Sequence, residues 1–259
     1  SPYRSWYDFD PKYKGGYRSW WGFETLPEVN EENPSYVEFI TGEGGVIDTW
    51  LRRGAAGFRL DVADELPDDF IEKIRAAVKR VSPEKFLLGE VWEDATTKYG
   101  FGQRRTYLLG KGLDSVMNYP FKNAVLDFVK GKPAQQAMNE ILSICEHYPA
   151  PALNTALNFL STHDTERALT VIADEPANGR GREWQSGRNV SGEAYEEGML
   201  RLRMAYAIIY TLPGLPCLYY GDEIGMQGYR DPFNRGYYCW DSHEERLKPV
   251  LAQLAQLRH

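Results

Sequence analysis

Acidic residues, two of them accompanied by a basic residue, follow three of the short apolar runs in this chain. Arg59 and Asp61 end the first run, Glu90 ends the second, and the pair His163 and Asp164 ends the fourth. Because side chains two positions apart on a strand share a face, we expect Arg59 and Asp61 on the same side. The carboxyl ends of parallel barrel strands form one face, so the three acids are predicted to converge there.

The combination of these acids indicates a particular chemistry. A single Asp at a strand end has an ordinary explanation, because Asp is a favoured N-cap where a strand turns into a helix. Three acids with an Arg and a His are costly to bury, which favours a site that uses them. Two close carboxylates suit glycoside hydrolysis, in which one carboxylate attacks the anomeric carbon and a protonated one serves the leaving oxygen. Arg59 would keep the nucleophile ionised, and the apolar run 86–88 with Trp92 would give Glu90 poorly solvated surroundings.

Strands and helices alternate along the chain and must position these groups. Near-continuous apolar strands separated by amphipathic helices predict a parallel sheet covered by helices. The strands are predicted over residues 57–63, 86–92, 115–119, 157–164 and 216–223. Helices are predicted around 47–51, from Pro67 to Val81, from Pro133 with Met138, Ile141, Leu142 and Cys145 on its apolar face, from 199 to 212, and over 247–257.

Composition excludes several classes of protein. The chain has 259 residues, 42% of them apolar, and 30 basic against 37 acidic residues give a net charge of −7. This charge balance argues against a nucleic-acid partner, and no apolar run is long enough for a membrane span. Three cysteines without zinc spacing, and no visible leader, predict free thiols, no structural zinc and a cytoplasmic protein. No Gly-rich phosphate loop is present, which disfavours a nucleotide-binding fold.

The first 23 residues are unusually aromatic. Nine of them are Tyr, Trp or Phe, with no regular period, which predicts an irregular segment. Two interpretations stay open: the rings belong to a core, or they form a wall of stacking surfaces for sugar rings. The polar, Gly-rich stretch 178–192 is predicted to be a surface excursion.

Several short motifs resemble the α-amylase superfamily, glycoside hydrolase family 13. GFRLDVADE (57–65), LLGEVW (87–92) and FLSTHDTER (159–167) are similar to three of its short conserved regions. LPEVN (26–30) resembles the extra conserved segment of the inserted subdomain, and residues 218–235 resemble the eighth-strand region. The form of these motifs is most similar to the neopullulanase, cyclomaltodextrinase and maltogenic amylase group.

The resemblance implies a role for each matching residue. Asp61 is expected to be the nucleophile, Glu90 the general acid and base, and Asp164 the third acid, which holds substrate hydroxyls. Arg59 would position Asp61, and His163 would bind a hydroxyl beside Asp164. Residues in the sugar subsites are expected to be Glu65, Trp92, Asp231 and Arg235, with a core aromatic as the alternative for Trp92. Glu223 is expected to be structural.

The resemblance also implies a fold and a domain organisation. We expect an α/β fold, a partial (β/α)8 TIM barrel with about strands four to eight and the end of the inserted subdomain. Residues 1–45 would be that aromatic-rich end and its connection, and residues 46–259 the C-terminal part of the barrel. The first three strands and the C-terminal β-domain are expected to be absent, so the chain is interpreted as a fragment. Its edge strands, near 57–63 and 216–220, would favour self-association.

The implied activity is that of a retaining α-glucan hydrolase that cleaves α-1,4, and in one alternative α-1,6, glucosidic bonds. A glucanotransferase and a non-catalytic oligosaccharide-binding fragment are the alternatives. The expected partner is an α-glucan or maltooligosaccharide. No cofactor or catalytic metal is expected, since the mechanism runs on carboxylates, although the family sometimes carries a structural calcium whose ligands cannot be placed here.

Overall fold

A computed structural model describes residues 1–258, and His259, the last residue of the predicted barrel segment, lies outside the described residues. The chain divides into two compact units. The first contains residues 1–91 and 95–116, and the second contains residues 92–94 and the chain from Met117 onward. The division predicted after residue 45 stays a prediction.

The first unit begins with an irregular segment, as predicted. Apart from 3₁₀ turns at Arg4–Trp6 and Trp20–Gly22, residues 1–33 form loops and isolated bridges, and none of them is buried. The interpretation of these aromatic residues as core is therefore wrong for this chain. Trp21 is 76% exposed and Phe23 is 56% exposed.

Three helices of the first unit begin at residues suited to helix starts. They are α1 (Pro34–Thr41), α2 (Val46–Arg52) and α3 (Asp68–Val81). The Asn33 side chain caps α1 by accepting the backbone N–H groups of Ser35 and Tyr36. Helix α3 follows Pro67, has acids in its first turn and bases in its last, and buries the stripe that includes Phe70 and Ile74.

A parallel three-stranded sheet organises the first unit. Its strands lie in the order β1 (Gly57–Leu60), β2 (Phe86–Gly89) and β5 (Ser115–Val116), and a separate antiparallel pair joins β3 (Tyr99–Gly100) to β4 (Gln103–Arg104). Gly57 pairs with Phe86, and a Cβ at Gly57 would lie 1.9 Å from the Phe86 carbonyl oxygen. Only glycine allows the two strands to approach so closely at this point.

The second unit is mainly helical. Its elements are α4 (Tyr119–Val129), α5 (Ala134–His147), α6 (Ala150–Asn154), β6 (Leu157–Asn158), α7 (Ala168–Ala173), α8 (Arg182–Ser186), α9 (Gly192–Thr211), β7 (Leu215–Pro216) and α10 (Leu247–Arg258). Strands β6 and β7 pair in parallel, and a parallel bridge joins Met117 to Leu157. The Asn118 side chain caps α4 and also donates to the Asn158 side chain.

The buried face of α5 differs from the predicted one. Ala137, Ile141 and Ile144 are buried, whereas Met138 and Leu142 are exposed. The buried stripe follows positions i, i+4 and i+7, which places Met138 and Leu142 beside the stripe rather than on it. The prediction was wrong because long apolar side chains were taken as core in preference to the small Ala137.

The five predicted strand regions each overlap an observed strand, and the pairings among these five strands are parallel. The strands are shorter than predicted. The first ends at Leu60, the second at Gly89 and the fourth at Asn158. Asp61 and Glu90 therefore come directly after a strand, whereas Asp164 lies on a turn six residues beyond one.

Candidate active site

One guanidinium group holds two of the predicted catalytic acids. In the first unit, Arg59 Nη1 donates to Asp61 Oδ1, and Arg59 Nη2 lies 2.9 Å from Glu90 Oε2. Arg59 lies on β1, while Asp61 and Glu90 follow the neighbouring strands β1 and β2. Parallel pairing of the two strands thus brings the acids that follow them, Asp61 and Glu90, to the same edge of the sheet. The expectation that Arg59 and Asp61 lie on the same side agrees with this contact.

The two acids differ sharply in exposure. The Glu90 side chain is 5% exposed, whereas the Asp61 side chain is 73% exposed. The strand was predicted over residues 57–63, whereas β1 ends at Leu60, so Asp61 begins the turn and its side chain is exposed. A buried carboxyl beside an accessible one gives two acids in different surroundings, as an acid–nucleophile pair requires.

A strained valine connects the two acids, and sequence reasoning missed it. Val62 has φ 44° and ψ 52°, a left-handed conformation that is an outlier for a β-branched residue. In this conformation its N–H donates to Glu90 Oε2 at 2.9 Å, and the N–H of Ala63 donates to the Glu90 carbonyl at 3.1 Å. Backbone strain of this kind is concentrated at functional sites. No sequence signal marks it, because a valine in an apolar run indicates a continuing strand.

Glu65 contacts the aromatic N-terminal segment. Its Oε2 accepts the indole N–H of Trp20 at 2.6 Å, and its Oε1 accepts that of Trp21 at 2.8 Å. The two indoles stack with centroids 5.2 Å apart and an interplanar angle of 22°. Glu65 lies in the 3₁₀ turn Ala63–Glu65 that follows Asp61 and Val62. Its carboxylate therefore anchors two tryptophans to the loop that carries Asp61.

In the second unit, Asp164 is surrounded by three of the predicted substrate-binding residues. His163 Nε2 lies 3.0 Å from Asp164 Oδ2, and Arg235 Nη2 donates to Asp164 Oδ1 at 3.4 Å. Arg235 Nε also lies 3.0 Å from Asp231 Oδ1 and donates to the His163 carbonyl at 2.9 Å. The structure thus brings His163 and Asp164 together with Asp231 and Arg235, a pair that lies about 70 residues later in the sequence.

Asn234 fixes the loop that carries Asp164, and sequence reasoning missed it. It is fully buried, and its Nδ2 lies 2.7 Å from the carbonyl oxygens of His163 and Thr165. A third carbonyl, that of Thr162, lies 3.3 Å away. One amide therefore satisfies the backbone of a tight turn. A lone Asn in a polar loop gives no signal for this function, because its partners lie about 70 residues earlier.

Trp92 has the exposure expected of a stacking platform. It is 45% exposed, and its ring stacks on Tyr119 with centroids 4.4 Å apart and an interplanar angle of 12°. Tyr119 is buried and packs edge-on against Phe159. The core alternative for Trp92 is not supported, because a buried tyrosine backs the ring while much of the ring's surface stays accessible.

A buried ion pair supports the second unit. Arg167 and Asp222 are both almost completely buried, with Arg167 Nη1 3.3 Å from Asp222 Oδ1. Ser161 and Tyr206 donate their hydroxyls to Asp222 Oδ2 at 2.6 and 2.7 Å. Two Arg167 nitrogens, Nε and Nη2, have no hydrogen-bond acceptor among residues 1–258, but the guanidinium carbon lies 4.8 Å from the ring centroids of both Tyr219 and Tyr220. Glu223, expected to be structural, accepts the N–H of Gly221 at 2.8 Å.

Burial raises the pKa of Asp222 to about 6, against the lowering effects of Ser161, Tyr206 and Arg167. The folded state therefore binds more protons than the unfolded state between about pH 4 and pH 6, and its stability falls as the pH rises. This contribution is fully present below pH 4 and is lost as the pH passes 6. Relative to an Asp222→Asn variant, we expect the wild-type chain to lose about 3 kcal/mol of unfolding free energy between pH 4 and pH 7.

Urea unfolding of both proteins at each pH measures this difference. The other titrating groups are common to the two proteins, so their contributions to the pH dependence of unfolding free energy cancel in the difference. Two stability curves that run parallel from pH 4 to pH 7 would show that Asp222 does not titrate there.

The described part of the chain offers no obvious metal site. Among residues 1–258, no three His, Cys, Asp or Glu side chains cluster in a way that could hold a metal ion. Cys145, Cys217 and Cys239 are unpaired, and burial raises the pKa of the Cys145 and Cys217 thiols. No helix in the same range is both long enough and apolar enough to cross a membrane.

Comparison with known proteins identifies the family. The family model described as "Alpha amylase, catalytic domain" matches residues 5–253. The chain belongs to the α-amylase family, as its motifs indicated. The family's catalytic domain has the TIM-barrel fold, whereas the assignment of the strands seen here to barrel strands four to eight stays a prediction.

Individual relatives are glycoside hydrolases. An amylopullulanase of Thermoanaerobacter thermohydrosulfuricus is 34% identical over 288 residues, which cover 100% of this chain and 18% of the relative. Neopullulanase 2 of Thermoactinomyces vulgaris is 32% identical, over 90% of this chain and 35% of the relative. The chain thus spans well under half the length of these two proteins.

A solved structure extends the comparison to a ligand complex. The cyclic α-maltosyl-(1→6)-maltose hydrolase of Arthrobacter globiformis, in complex with maltose, has a TM-score of 0.81 and 26% identity. The match covers 100% of this chain and 53% of that one.

Proposed function

We propose that this chain carries the catalytic machinery of a retaining α-glucan hydrolase that cleaves α-1,4 glucosidic bonds, with α-1,6 bonds as the alternative. Asp61 is the nucleophile, Glu90 the general acid and base, and Asp164 the third acid. Maltooligosaccharides are the proposed substrates. The names of the relatives support this proposal, because they include an amylopullulanase and a hydrolase solved with maltose.

The observation that carries the proposal is the shared contact of Arg59 with Asp61 and Glu90. Two carboxylates on one guanidinium are held close together. This favours the spacing of about 5–5.5 Å found in retaining enzymes over the roughly 6.5–9.5 Å that leaves room for an inverting water.

The proposed reaction has two displacements. Asp61 attacks the anomeric carbon while the glucosidic C–O bond breaks, and Glu90 gives its proton to the leaving oxygen. The product is a covalent glycosyl ester of Asp61. Glu90 then takes a proton from water, whose oxygen attacks the anomeric carbon and releases Asp61.

In this proposal, the neighbouring residues position the reacting groups and the sugar. Arg59 and the Val62 N–H fix the orientation of Glu90. His163 and Arg235 hold Asp164, and Asp231 holds Arg235. All three bind substrate hydroxyls, and Trp92 stacks on a sugar ring. Glu65 belongs to the same subsites through the tryptophans it holds.

Proton NMR of freshly formed products tests the stereochemical part of the proposal. With maltoheptaose as substrate, we expect the α-anomer of the new reducing end to appear first and the β-anomer only later, by mutarotation. Initial release of the β-anomer would contradict the retaining mechanism. Products longer than the substrate would show transfer to sugar, in place of water, in the second step.

Self-association through sheet edges is a further part of the proposal. In the described residues, β1 pairs only with β2, and β7 pairs only with β6. Leu215 on β7 is exposed. Unpaired edges with accessible apolar side chains are suited to pairing with a second chain.

A further inference from the structure

A pair of tryptophans in the first unit is held in an unusually defined arrangement. Both indole N–H groups of Trp20 and Trp21 donate to the single carboxylate of Glu65, one to each oxygen. Their rings stack, and Trp20 also stacks on Phe23 with centroids 6.2 Å apart. The polar atoms of both indoles are thus satisfied, and the rings have little freedom to rotate.

Trp21 presents its ring outward at the cost of backbone strain. It is 76% exposed, and its φ of 50° and ψ of 24° place it in the left-handed region. Burial of apolar surface does not explain this conformation, since so exposed a ring buries little apolar surface in return. Strain that holds a large ring in solvent indicates that the accessible face of the ring is used.

The place of the pair in the chain relates it to the reacting groups. Glu65 comes four residues after Asp61, so their Cα atoms lie within about 14 Å. A short oligosaccharide bound at Asp61 spans such a distance. The tryptophans are therefore fixed to the same loop that carries the proposed nucleophile.

We propose that the exposed face of Trp21, extended by Phe23, is a stacking subsite for a glucose unit of an α-1,4-linked glucan. This inference rests on the proposed function. The apolar C–H face of a pyranose lies flat on an aromatic ring, while its hydroxyls reach the polar groups around the pair. Glu65 acts here as a positioning residue, which sets the ring orientation without contacting the sugar.

The size of the patch argues against a protein partner. Trp and Phe side chains bury about 150–250 Å² each when fully covered, so the two partly exposed rings offer a few hundred Å² at most. A stable protein interface buries about 1,200–2,000 Å² in total. The patch is too small for such an interface and large enough for one sugar ring.

Glucan binding by three variants tests the subsite. Each is made in the Asp61→Asn background, so that maltoheptaose is not consumed, and the dissociation constant is measured by isothermal titration calorimetry. We expect Trp21→Ala to weaken binding about tenfold, and Trp21→Phe, which keeps a stacking ring, to weaken it less than about threefold. Trp240→Ala is the matched control, because Trp240 is 86% exposed and lies in the second unit. It should leave binding unchanged.

Each result supports or overturns the subsite. Equal affinities of Trp21→Ala and its parent would overturn it and leave the proposed function standing. An equal loss of affinity in Trp240→Ala would also overturn the subsite, since the weaker binding would then not be specific to the ring of Trp21. Absence of maltoheptaose binding by the parent would overturn both proposals. A dimer that Trp21→Ala converts to a monomer in sedimentation would identify the patch as a contact between copies.

Discussion

Replacing Asp61 with Asn reduces the hydrolysis of maltooligosaccharides by at least about a thousandfold, because an amide is a poor nucleophile. The same variant is also inactive on an activated substrate such as α-maltosyl fluoride, since the covalent ester cannot form. Glu90→Gln behaves differently. This variant loses activity on the natural substrates, because their leaving alcohol needs a proton. It still carries out the first step with the fluoride, because fluoride needs none.

Initial rates of both variants on maltoheptaose and on the fluoride measure this separation of roles. Asp69→Asn is the matched control, because Asp69 is an exposed acid in the first turn of α3. It should keep the rate of the unsubstituted chain. If Asp61→Asn and Glu90→Gln respond alike to the fluoride, the two roles are assigned wrongly.

Replacing Arg167 with Met destabilises the chain by about 3–5 kcal/mol. Met fills much of the same volume without charge, and Asp222 is left in the interior with no cation. The rings of Tyr219 and Tyr220 also lose the guanidinium that lies over them. Since domains are typically stable by about 5–15 kcal/mol, the loss takes a large part of the total.

Chemical denaturation at pH 7 measures this loss. Arg201→Met is the control, because Arg201 forms an exposed i,i+4 pair with Glu197 on α9. Such a pair contributes only about 0.3–0.5 kcal/mol. A loss for Arg167→Met no larger than that of the control would show that the buried pair contributes nothing net.

The sequence predicted those features that depend on local pattern. Apolar runs located the strands, and residues two apart placed Arg59 and Asp61 on one side. Helix-start residues located α3 at Pro67. Motif resemblance located the candidate acids and most of their neighbours, because motif residues come as short contiguous strings.

Features that depend on long-range packing could not be predicted in this way. Asn234 contacts a loop about 70 residues earlier, and no local pattern encodes that distance. Val62 leaves the strand because the Glu90 side chain offers its N–H a partner, which outweighs its own preference for extended backbone. Met138 and Leu142 are exposed because the direction of the neighbouring helix, which the sequence does not state, decides which face of α5 is buried.

The proposed mechanism depends most on Asp61 as the nucleophile, and trapping of the covalent intermediate tests this role directly. The Glu90→Gln variant is incubated with α-maltosyl fluoride, then digested and analysed by mass spectrometry. We expect one maltosyl group per chain, attached to the peptide that contains Asp61, because the first step proceeds and the second lacks its general base. A label on another carboxylate, or full turnover of the fluoride with inverted product and no label, would contradict the role of Asp61 as the nucleophile.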